Sequence, residues 1–349
     1  MLRAILVIFL FIPAFVHGAE APPLFSAEST LKAVLTAPIL QAYGQKKKED
    51  RLYLDGHWAH NAGEQNERLS VKIRTRGNYR RKNCDLPPLM LNFKKKEVES
   101  TPLAGQDKLK LVSPCKNGDK YQQLIYLEYL VYQLFALYSD YHMRTRLVDV
   151  AYVDTGKKDR RWQSTNFFIE DDKDMAARYD LKQKKIAATM RAQMDLPQTA
   201  LVEVFQYMIG NVDYSTLKSP EGENCCHNVK LLAIEGADKG FIPVAYDFDS
   251  SGLVNAPYAT VPASIPIKRV TTRYFNGWCK EERRYNEVIA RMLEQEKAAI
   301  AIFEESPFLS STYRKRAVRY LEGSYDRIRD PDSVEREILK RCRGEIIKG

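Results

Sequence analysis

Hydrophobic and polar residues alternate along several short segments in the first half of the chain. In "LSVKIRTRG" apolar residues alternate with cations, which predicts a strand whose basic face carries Arg74 and Arg76. The segments "PPLMLNFKKK", "DKLKLVS", "RLVDVAYVDT" and "QSTNFFIED" predict four more strands. The first half of the chain is therefore expected to be rich in strands.

One long helix interrupts these strands. The segment "DKYQQLIYLEYLVYQLFALYSDY" opens near Asp119 and repeats apolar residues at helical spacing. Its predicted buried stripe consists of Leu124, Leu127, Val131, Leu134 and Phe135. Glu128 falls inside this stripe, so its carboxylate either lies at the hydrated edge or pairs with a buried cation.

The second half reads mainly as helices. The segments "DKDMAARYDLKQKK" and "LPQTALVEVFQYMIG" predict helices, "NVKLLAI" and "GFIPVAYDF" predict two short strands, and three amphipathic helices are expected from Arg283 onward. The order predicts a two-lobed α+β architecture hinged near Glu170. A strand-rich N-lobe would span residues 25–169 and a helical C-lobe residues 170–349, with a ligand cleft between them.

The N-terminus has the three-part pattern of a secretory signal peptide over residues 1–19. Arg3 precedes an apolar run from Ala4 to Val16, and small residues follow. The run is short for a bilayer span, and no later segment is long and apolar enough to cross a membrane. We expect an exported protein, periplasmic or secreted, without a stable transmembrane segment after cleavage. An uncleaved membrane anchor is the alternative.

The six cysteines favour disulfides, because their number is even and the protein is expected to be exported. Zinc binding at "CCH" competes with this interpretation, but adjacent cysteines lack the spacer that lets two thiolates grip one ion. Cys84 and Cys115 flank two consecutive strands, so we expect them to pair. Cys279 is expected to pair with Cys225 or Cys226.

The chain carries a net charge of +9, concentrated in "YGQKKKED", "RTRGNYRRKN" and "NFKKKE". Such runs are usually solvated faces, and they also attract anions. No nucleic-acid-binding motif accompanies them, so no nucleic-acid partner is expected. A nucleotide, polyphosphate or an acidic protein substrate is favoured.

Three polar residues near the predicted hairpin of the second half suggest phosphoryl transfer. Asp213 follows a strongly apolar helix, Asn228 opens one short strand and Asp247 closes the other. A base aspartate, an asparagine and a second aspartate are the parts that such chemistry uses to orient an acceptor hydroxyl and to hold magnesium. Asp and Asn are also common loop residues, so the pattern alone is not specific.

A family resemblance adds to this pattern. The segment "VKIRTRGNYRR" resembles the "R-G-N" strand-turn of the spore-coat CotH kinase family, and "IGNVDYS", "HNVKLL" and "VAYDFDSSG" resemble its catalytic segment in the same order. The resemblance covers roughly Leu69 to Gly252. It implies an atypical protein-kinase-like fold, remotely similar to secretory-pathway kinases. It also implies phosphate transfer from ATP or another nucleotide to protein Ser or Thr with Mg²⁺.

Carried over residue by residue, the resemblance makes Asp213 the catalytic base. Asn228 and Asp247 become magnesium ligands, with Asp249 as the alternative or second acidic ligand. His227 is expected to support the site rather than to act in catalysis.

The basic strand and its turn would face the nucleotide. Arg74, Arg76 and Gly77 belong to this part of the predicted site. Because protein kinases bind the phosphates with a lysine, the resemblance also predicts such a lysine on the strand before the long helix. Lys108 and Lys110 both fit, and Lys110 is preferred, held by Glu128.

Two departures from the kinase pattern leave alternatives open. The spacing from Asp213 to Asn228 is longer than usual in kinases, so "TLKSPEGENCC" must loop out and return, pinned by a disulfide from Cys225 or Cys226. An exported bacterial kinase would also meet little free ATP. An inactive binding or scaffold protein of the cell envelope or coat is therefore one alternative, and a nucleotidyl transferase is another. A monomer is expected.

Overall fold

The computed structural model describes residues 23–62, 65–156 and 159–347. The signal peptide predicted over residues 1–19 lies outside these ranges. Within them, the chain has mixed α+β structure, with a barrel of strands followed by a mainly helical part.

Seven strands close into a barrel in the order β1-β2-β3-β4-β5-β7-β6. They are β1 (Leu31–Ala37), β2 (Leu54–Ala62), β3 (Gln65–Thr75), β4 (Leu89–Phe93), β5 (Lys108–Val112), β6 (Thr145–Asp154) and β7 (Arg161–Ile169). Neighbouring strands are antiparallel except β1 and β6, whose parallel pairing sets Leu31 opposite Val148 and closes the barrel. The five strands predicted from alternation, β3 to β7, are confirmed. Trp58, Ile73 and Phe168 are buried in the core of the barrel.

The helical part packs around one long helix. Four short helices accompany the barrel: α1 (Pro23–Ser26), α2 (Ile39–Gly44), α3 (Tyr79–Asn83) and α4 (Lys95–Val98). The others are α5 (Asp119–Tyr138), α6 (Asp172–Arg178), α7 (Leu196–Met208), α8 (Glu282–Glu294), α9 (Glu296–Glu304), α10 (Ser311–Arg329) and α11 (Pro331–Val334). A 3₁₀ turn spans Arg191–Gln193 and a π-helical turn spans Glu335–Leu339. The predicted long helix is confirmed as α5, with its apolar stripe buried.

Five further strands belong to this second part. They are β8 (Lys182–Gln183), β9 (Val229–Ala233), β10 (Ile242–Ala245), β11 (Trp278–Lys280) and β12 (Arg343–Ile347). The hairpin predicted from "NVKLLAI" and "GFIPVAYDF" is confirmed, because β9 and β10 pair antiparallel with Val229 opposite Ala245. The strand β12 pairs with β11 beyond the three predicted C-terminal helices.

The prediction of a two-lobed, kinase-like fold is wrong. The strands form a closed barrel instead of an open sheet, because β1 and β2 add to the five predicted strands and β1 pairs with β6. Helix α5 lies between the barrel and the other helices, and its Phe135 packs against Phe205 of α7 with ring centroids 4.8 Å apart. Near the expected hinge, Glu170 is buried and ion-paired with Arg178 at 2.8 Å, so this point is not an exposed linker.

All six cysteines are paired in disulfides. The predicted pair Cys84–Cys115 is confirmed, with Cα atoms 4.6 Å apart. The expected pairing of Cys279 with Cys225 or Cys226 is wrong, because Cys279 bonds Cys342. This disulfide links β11 to the residue directly before β12. The neighbours Cys225 and Cys226 bond each other across a cis peptide. Three disulfides fit an exported protein that folds in an oxidising compartment.

In the part of the chain that the structure describes, no helix combines the length and apolar character needed to cross a bilayer.

Candidate active site

A cleft of about 590 Å³ lies between the turn after β3 and the hairpin β9–β10. It brings together six of the nine residues predicted to form the site: Arg76, Gly77, Asp213, Asn228, Asp247 and Asp249. A second cavity, of about 680 Å³, lies on the barrel beside Asp55 and Lys72 and contains none of the nine. The cleft is therefore the candidate active site.

Asp213 is held in a defined orientation at one side of the cleft. It follows α7, and its backbone N–H donates to the side chain of Asn211 at 3.0 Å. Its Oδ1 lies 2.8 Å from His227 Nε2, and its Oδ2 accepts a hydrogen bond from Asn228 Nδ2 at 3.2 Å. The carboxylate remains about one-third exposed. Asp213 is thus both oriented and accessible, as a general base must be.

His227 supports Asp213 directly. The hydrogen bond to Asp213 is the main cause that raises the pKa of His227 above its usual value, against the opposing effect of burial. A protonated His227 donates this hydrogen bond and holds the Asp213 carboxylate in place. The contact agrees with the expectation that His227 supports the site.

Asn228 and Asp247 occupy the same end of the β9–β10 hairpin. The backbone N–H of Tyr246 donates to the Asn228 carbonyl at 3.1 Å, which extends the ladder of the hairpin by one step. Both polar residues adopt left-handed backbone conformations, with φ of 52° for Asn228 and 61° for Asp247. Asn and Asp adopt this conformation more readily than other non-glycine residues, and Asp180 does so away from the cleft. The Asp247 N–H also donates to Tyr132 Oη of α5 at 2.9 Å, which fixes this turn to the long helix.

Asp249 and Glu128 share one buried cation, Arg80. The Arg80 guanidinium donates to Glu128 Oε2 at 2.9 Å and lies 3.7 Å from Asp249 Oδ2. All three side chains are at most 10 % exposed. The expected pairing of Glu128 with Lys110 is wrong, because Arg80, on α3 directly after the "R-G-N" turn, is the cation that reaches Glu128.

These buried carboxylates carry more negative charge than Arg80 can neutralise. Burial raises the pKa of Glu128, and the neighbouring Asp249 and Asp247 raise it further. Burial and then the charge of Asp247 raise the pKa of Asp249. Glu128 Oε1 is buried without a hydrogen-bond partner among the described residues. The arrangement favours a bound cation or proton at this end of the cleft.

Lys110 lies outside the cleft lining and pairs with Asp172 of α6. Asp172 also contacts Lys230 of β9, whose Nζ lies 3.3 Å from Asp172 Oδ2 and 4.7 Å from the centroid of the Tyr246 ring. Lys230 lines the cleft, so it is the lysine placed to meet an anionic ligand there. Sequence reasoning missed Lys230, although its position two residues after Asn228 is a signal that could have identified it.

We expect Asp172→Asn to lower the free energy of unfolding at pH 7 by on the order of 2 kcal/mol. Burial alone would raise the pKa of Asp172, but Lys110 and Lys230 lower it to about 2. A lowered carboxyl pKa stabilises the fold above the unfolded value and loses that effect as the pH falls towards 2. Urea unfolding should therefore show a difference from wild type that shrinks in acid. An equal stability at pH 7 would contradict the pairing, and the exposed Asp238→Asn serves as the control.

Of the residues predicted on the basic face of β3 and in the turn after it, only those at the turn line the cleft. Arg74 lies over the ring of Tyr53, 4.6 Å from its centroid, and is not part of the cleft lining. Arg76 and Gly77 do line the cleft. Gly77 has a φ of 83°, so the sharp turn towards Arg80 uses the left-handed conformation that glycine adopts without strain.

The insert between Asp213 and Asn228 loops out and returns to the cleft, as predicted. The predicted disulfide does not hold it there. Because Cys225 and Cys226 bond each other, the loop is held by hydrogen bonds. Thr216 Oγ1 donates to the buried Glu203 of α7 at 3.4 Å, and the Ser215 N–H donates to the His227 carbonyl at 3.0 Å.

Comparisons with known proteins do not identify a family. No protein-family model matches the chain, and no curated protein matches it significantly. The resemblance to the CotH family therefore stays a prediction, and the proposals below depend on the geometry of the cleft.

Proposed function

We propose that the cleft transfers a phosphoryl group from ATP or another nucleotide to a Ser or Thr hydroxyl of a protein substrate, with Mg²⁺. One observation carries the proposal. Asp213, Asn228 and the pair Asp247 and Asp249 come from three separate places in the chain and line one cleft, and Asn228 and Asp247 have left-handed backbone conformations. This juxtaposition of a possible base with oxygen ligands supports phosphoryl transfer.

The residues present fit magnesium when a nucleotide supplies further ligands. Asn228 uses its amide nitrogen in bonds to Asp213, at 2.6 Å and 3.2 Å, so its amide oxygen is the atom that it can offer to a cation. Together with the carboxylates of Asp247 and Asp249, this gives oxygen donors, which Mg²⁺ prefers. Across the described residues, no group of three or more His, Cys, Asp and Glu side chains could hold a metal. Magnesium commonly takes only one or two carboxylates and completes its shell with water and phosphates, so the two observations agree.

When bound, the ion would neutralise the negative charge that develops on the phosphates during transfer. The chain's own residues have separate tasks. Asp213 orients the acceptor hydroxyl and receives its proton, and His227 holds the Asp213 carboxylate in place. Lys230 and Arg76 line the cleft and are the cations that would meet the phosphates. Arg80 holds the carboxylates of Asp249 and Glu128 in position.

We expect the affinity for a nucleotide in the presence of Mg²⁺ to rise as the pH increases through neutral. Burial and the neighbouring carboxylates raise the pKa of Asp249 and of Glu128 above their ordinary values, so the free cleft keeps protons at a pH where exposed carboxylates have lost them. A divalent cation that binds ionised carboxylates must displace these protons. Isothermal titration calorimetry in two buffers of different ionisation enthalpy measures their release.

The control titration uses the same nucleotide with EDTA in place of Mg²⁺. Binding that is unchanged by Mg²⁺, or that releases no protons at pH 7, would contradict the proposal. Binding with Mg²⁺ but without transfer to any acceptor would favour the inactive binding protein, and transfer of a nucleotidyl group would favour the nucleotidyl transferase.

The disulfides and the N-terminal sequence support a location outside the cytoplasm. We place the protein outside the cytoplasm, in the periplasm or secreted, as a monomer that acts on a protein partner and not on nucleic acid. The acceptor is then an exported or surface-bound protein.

A further inference from the structure

A groove beside the cleft is not used by the proposed chemistry. The chain from Ser250 to Gly277 contains no helix or strand, which is unusually long for a loop in a folded domain and is typical of binding loops. Part of this segment lines an open surface groove of about 670 Å³. Thr260 lines both this groove and the cleft, so the two cavities adjoin.

The segment is fixed at both ends and exposed between them. Near its start, the Leu253 N–H donates to the Ile209 carbonyl at 3.0 Å. Near its end, Arg273 Nε donates to Ser324 Oγ of α10 at 2.9 Å, and the hydroxyl of Tyr320 donates to the Thr271 carbonyl at 3.2 Å. The groove is therefore a formed feature of the surface with a defined position relative to Asp213.

The groove carries cations and no carboxylate. Lys268 and Arg269 line the groove and are exposed, and no carboxylate of the described residues lies within ion-pair distance of either. The cleft next to it has a mixed lining, in which carboxylates such as Asp213 face cations such as Lys230. An acidic side chain near the acceptor hydroxyl would therefore be attracted to the groove, where it meets unpaired cations.

We propose that this groove binds the acceptor polypeptide and selects acidic residues close to its Ser or Thr. The inference rests on the proposed function, because it assumes that the acceptor hydroxyl enters the cleft beside Asp213. The apolar side chains of Val261, Ile267 and Val270 contact the backbone and small residues of the peptide. Lys268 and Arg269 pair with its carboxylates.

Peptide binding tests this inference without any transfer reaction. The probes are fluorescein-labelled peptides of about 12 residues, an extended length of about 40 Å, which suits a groove and cleft together. Each has a Gly-Ala background and one central serine. Three aspartates stand on the N-terminal or the C-terminal side of the serine, and matched peptides carry three lysines there. Binding is followed by fluorescence anisotropy at low salt.

We expect wild type to bind one of the aspartate peptides about tenfold or more tightly than its lysine counterpart, and Lys268→Glu combined with Arg269→Glu to abolish or reverse that preference. The control, Lys47→Glu combined with Lys48→Glu, makes the same change in net charge on the exposed lysines of the barrel. It should leave the preference within about twofold of wild type.

The inference is overturned if neither class of peptide binds, if aspartate and lysine peptides bind equally, or if the Lys47/Lys48 variant loses the preference as fully as the groove variant. A preference that follows Lys268 and Arg269 in a protein that transfers no phosphate would support the groove and refute the transfer. Transfer to a serine peptide without any charge preference would support the transfer reaction and refute the role of the groove.

Discussion

Asp213→Asn should lower phosphate transfer to a protein acceptor by about 10²-fold or more, while nucleotide binding and thermal stability stay close to wild type. Asparagine has the size of aspartate and can still accept a hydrogen bond from His227. It loses the bond from Asn228 Nδ2 at 3.2 Å, but the shorter bond from this nitrogen to the backbone carbonyl, at 2.6 Å, is kept. Asparagine cannot take the proton of an acceptor hydroxyl. The rate of transfer from a radiolabelled nucleotide to a mixed protein acceptor measures the loss.

The control for this variant is Asp238→Asn, which changes an exposed aspartate in the turn between β9 and β10. It should transfer phosphate like wild type. If Asp213→Asn retains full transfer in a protein whose wild type is active, Asp213 is a structural turn residue and the mechanism fails. A matched loss of nucleotide binding would instead assign Asp213 to the binding of the nucleotide.

Asp247→Ala should abolish magnesium-dependent nucleotide binding and leave the fold intact. The substitution removes a carboxylate from the proposed cation site and takes no volume from the core. Asp247 has a φ of 61°, so alanine also adds backbone strain of about 1–2 kcal/mol. Asp247→Gly removes the carboxylate without that strain, and the two variants should lose binding equally.

Asp180→Ala is the matched control, because Asp180 is an aspartate with a φ of 55° that does not line the cleft. It should bind nucleotide like wild type, with a similar small loss of thermal stability. Should Asp247→Gly bind nucleotide with an unchanged dependence on Mg²⁺, the metal assignment is wrong.

Local periodicity predicted much of the secondary structure. Strands β3 to β7, helix α5 and the β9–β10 hairpin follow from the spacing of apolar residues within each segment. The closed barrel does not, because it depends on the pairing of Leu31 with Val148 between strands far apart in the chain. Nothing in the local pattern of either strand specifies its partner. The sequence therefore did not reveal that the strands close into a barrel, and the predicted two-lobed, kinase-like fold was wrong.

The candidate site shows the same division. Asp213, Asn228 and Asp247 were predicted from their positions at the ends of elements, and they line one cleft. The partner of Glu128 was not predictable in this way, because several cations precede it in the sequence and only tertiary packing selects Arg80 over Lys110. The same is true of the disulfides. The pair Cys84–Cys115 was predictable because the two cysteines flank consecutive strands, whereas Cys279–Cys342 depends on the tertiary path that brings the C-terminal segment back to β11.

The most direct test of the central claim is a crystal structure of the protein with Mn²⁺ and a non-hydrolysable ATP analogue, with anomalous data that locate the manganese. We expect an anomalous peak in the cleft within about 2.5 Å of oxygen atoms of Asn228 and Asp247 or Asp249, with the phosphates on the side of Lys230 and Arg76. A nucleotide bound elsewhere, or manganese found away from these side chains while the cleft stays empty, would contradict the assignment of this cleft to phosphoryl transfer.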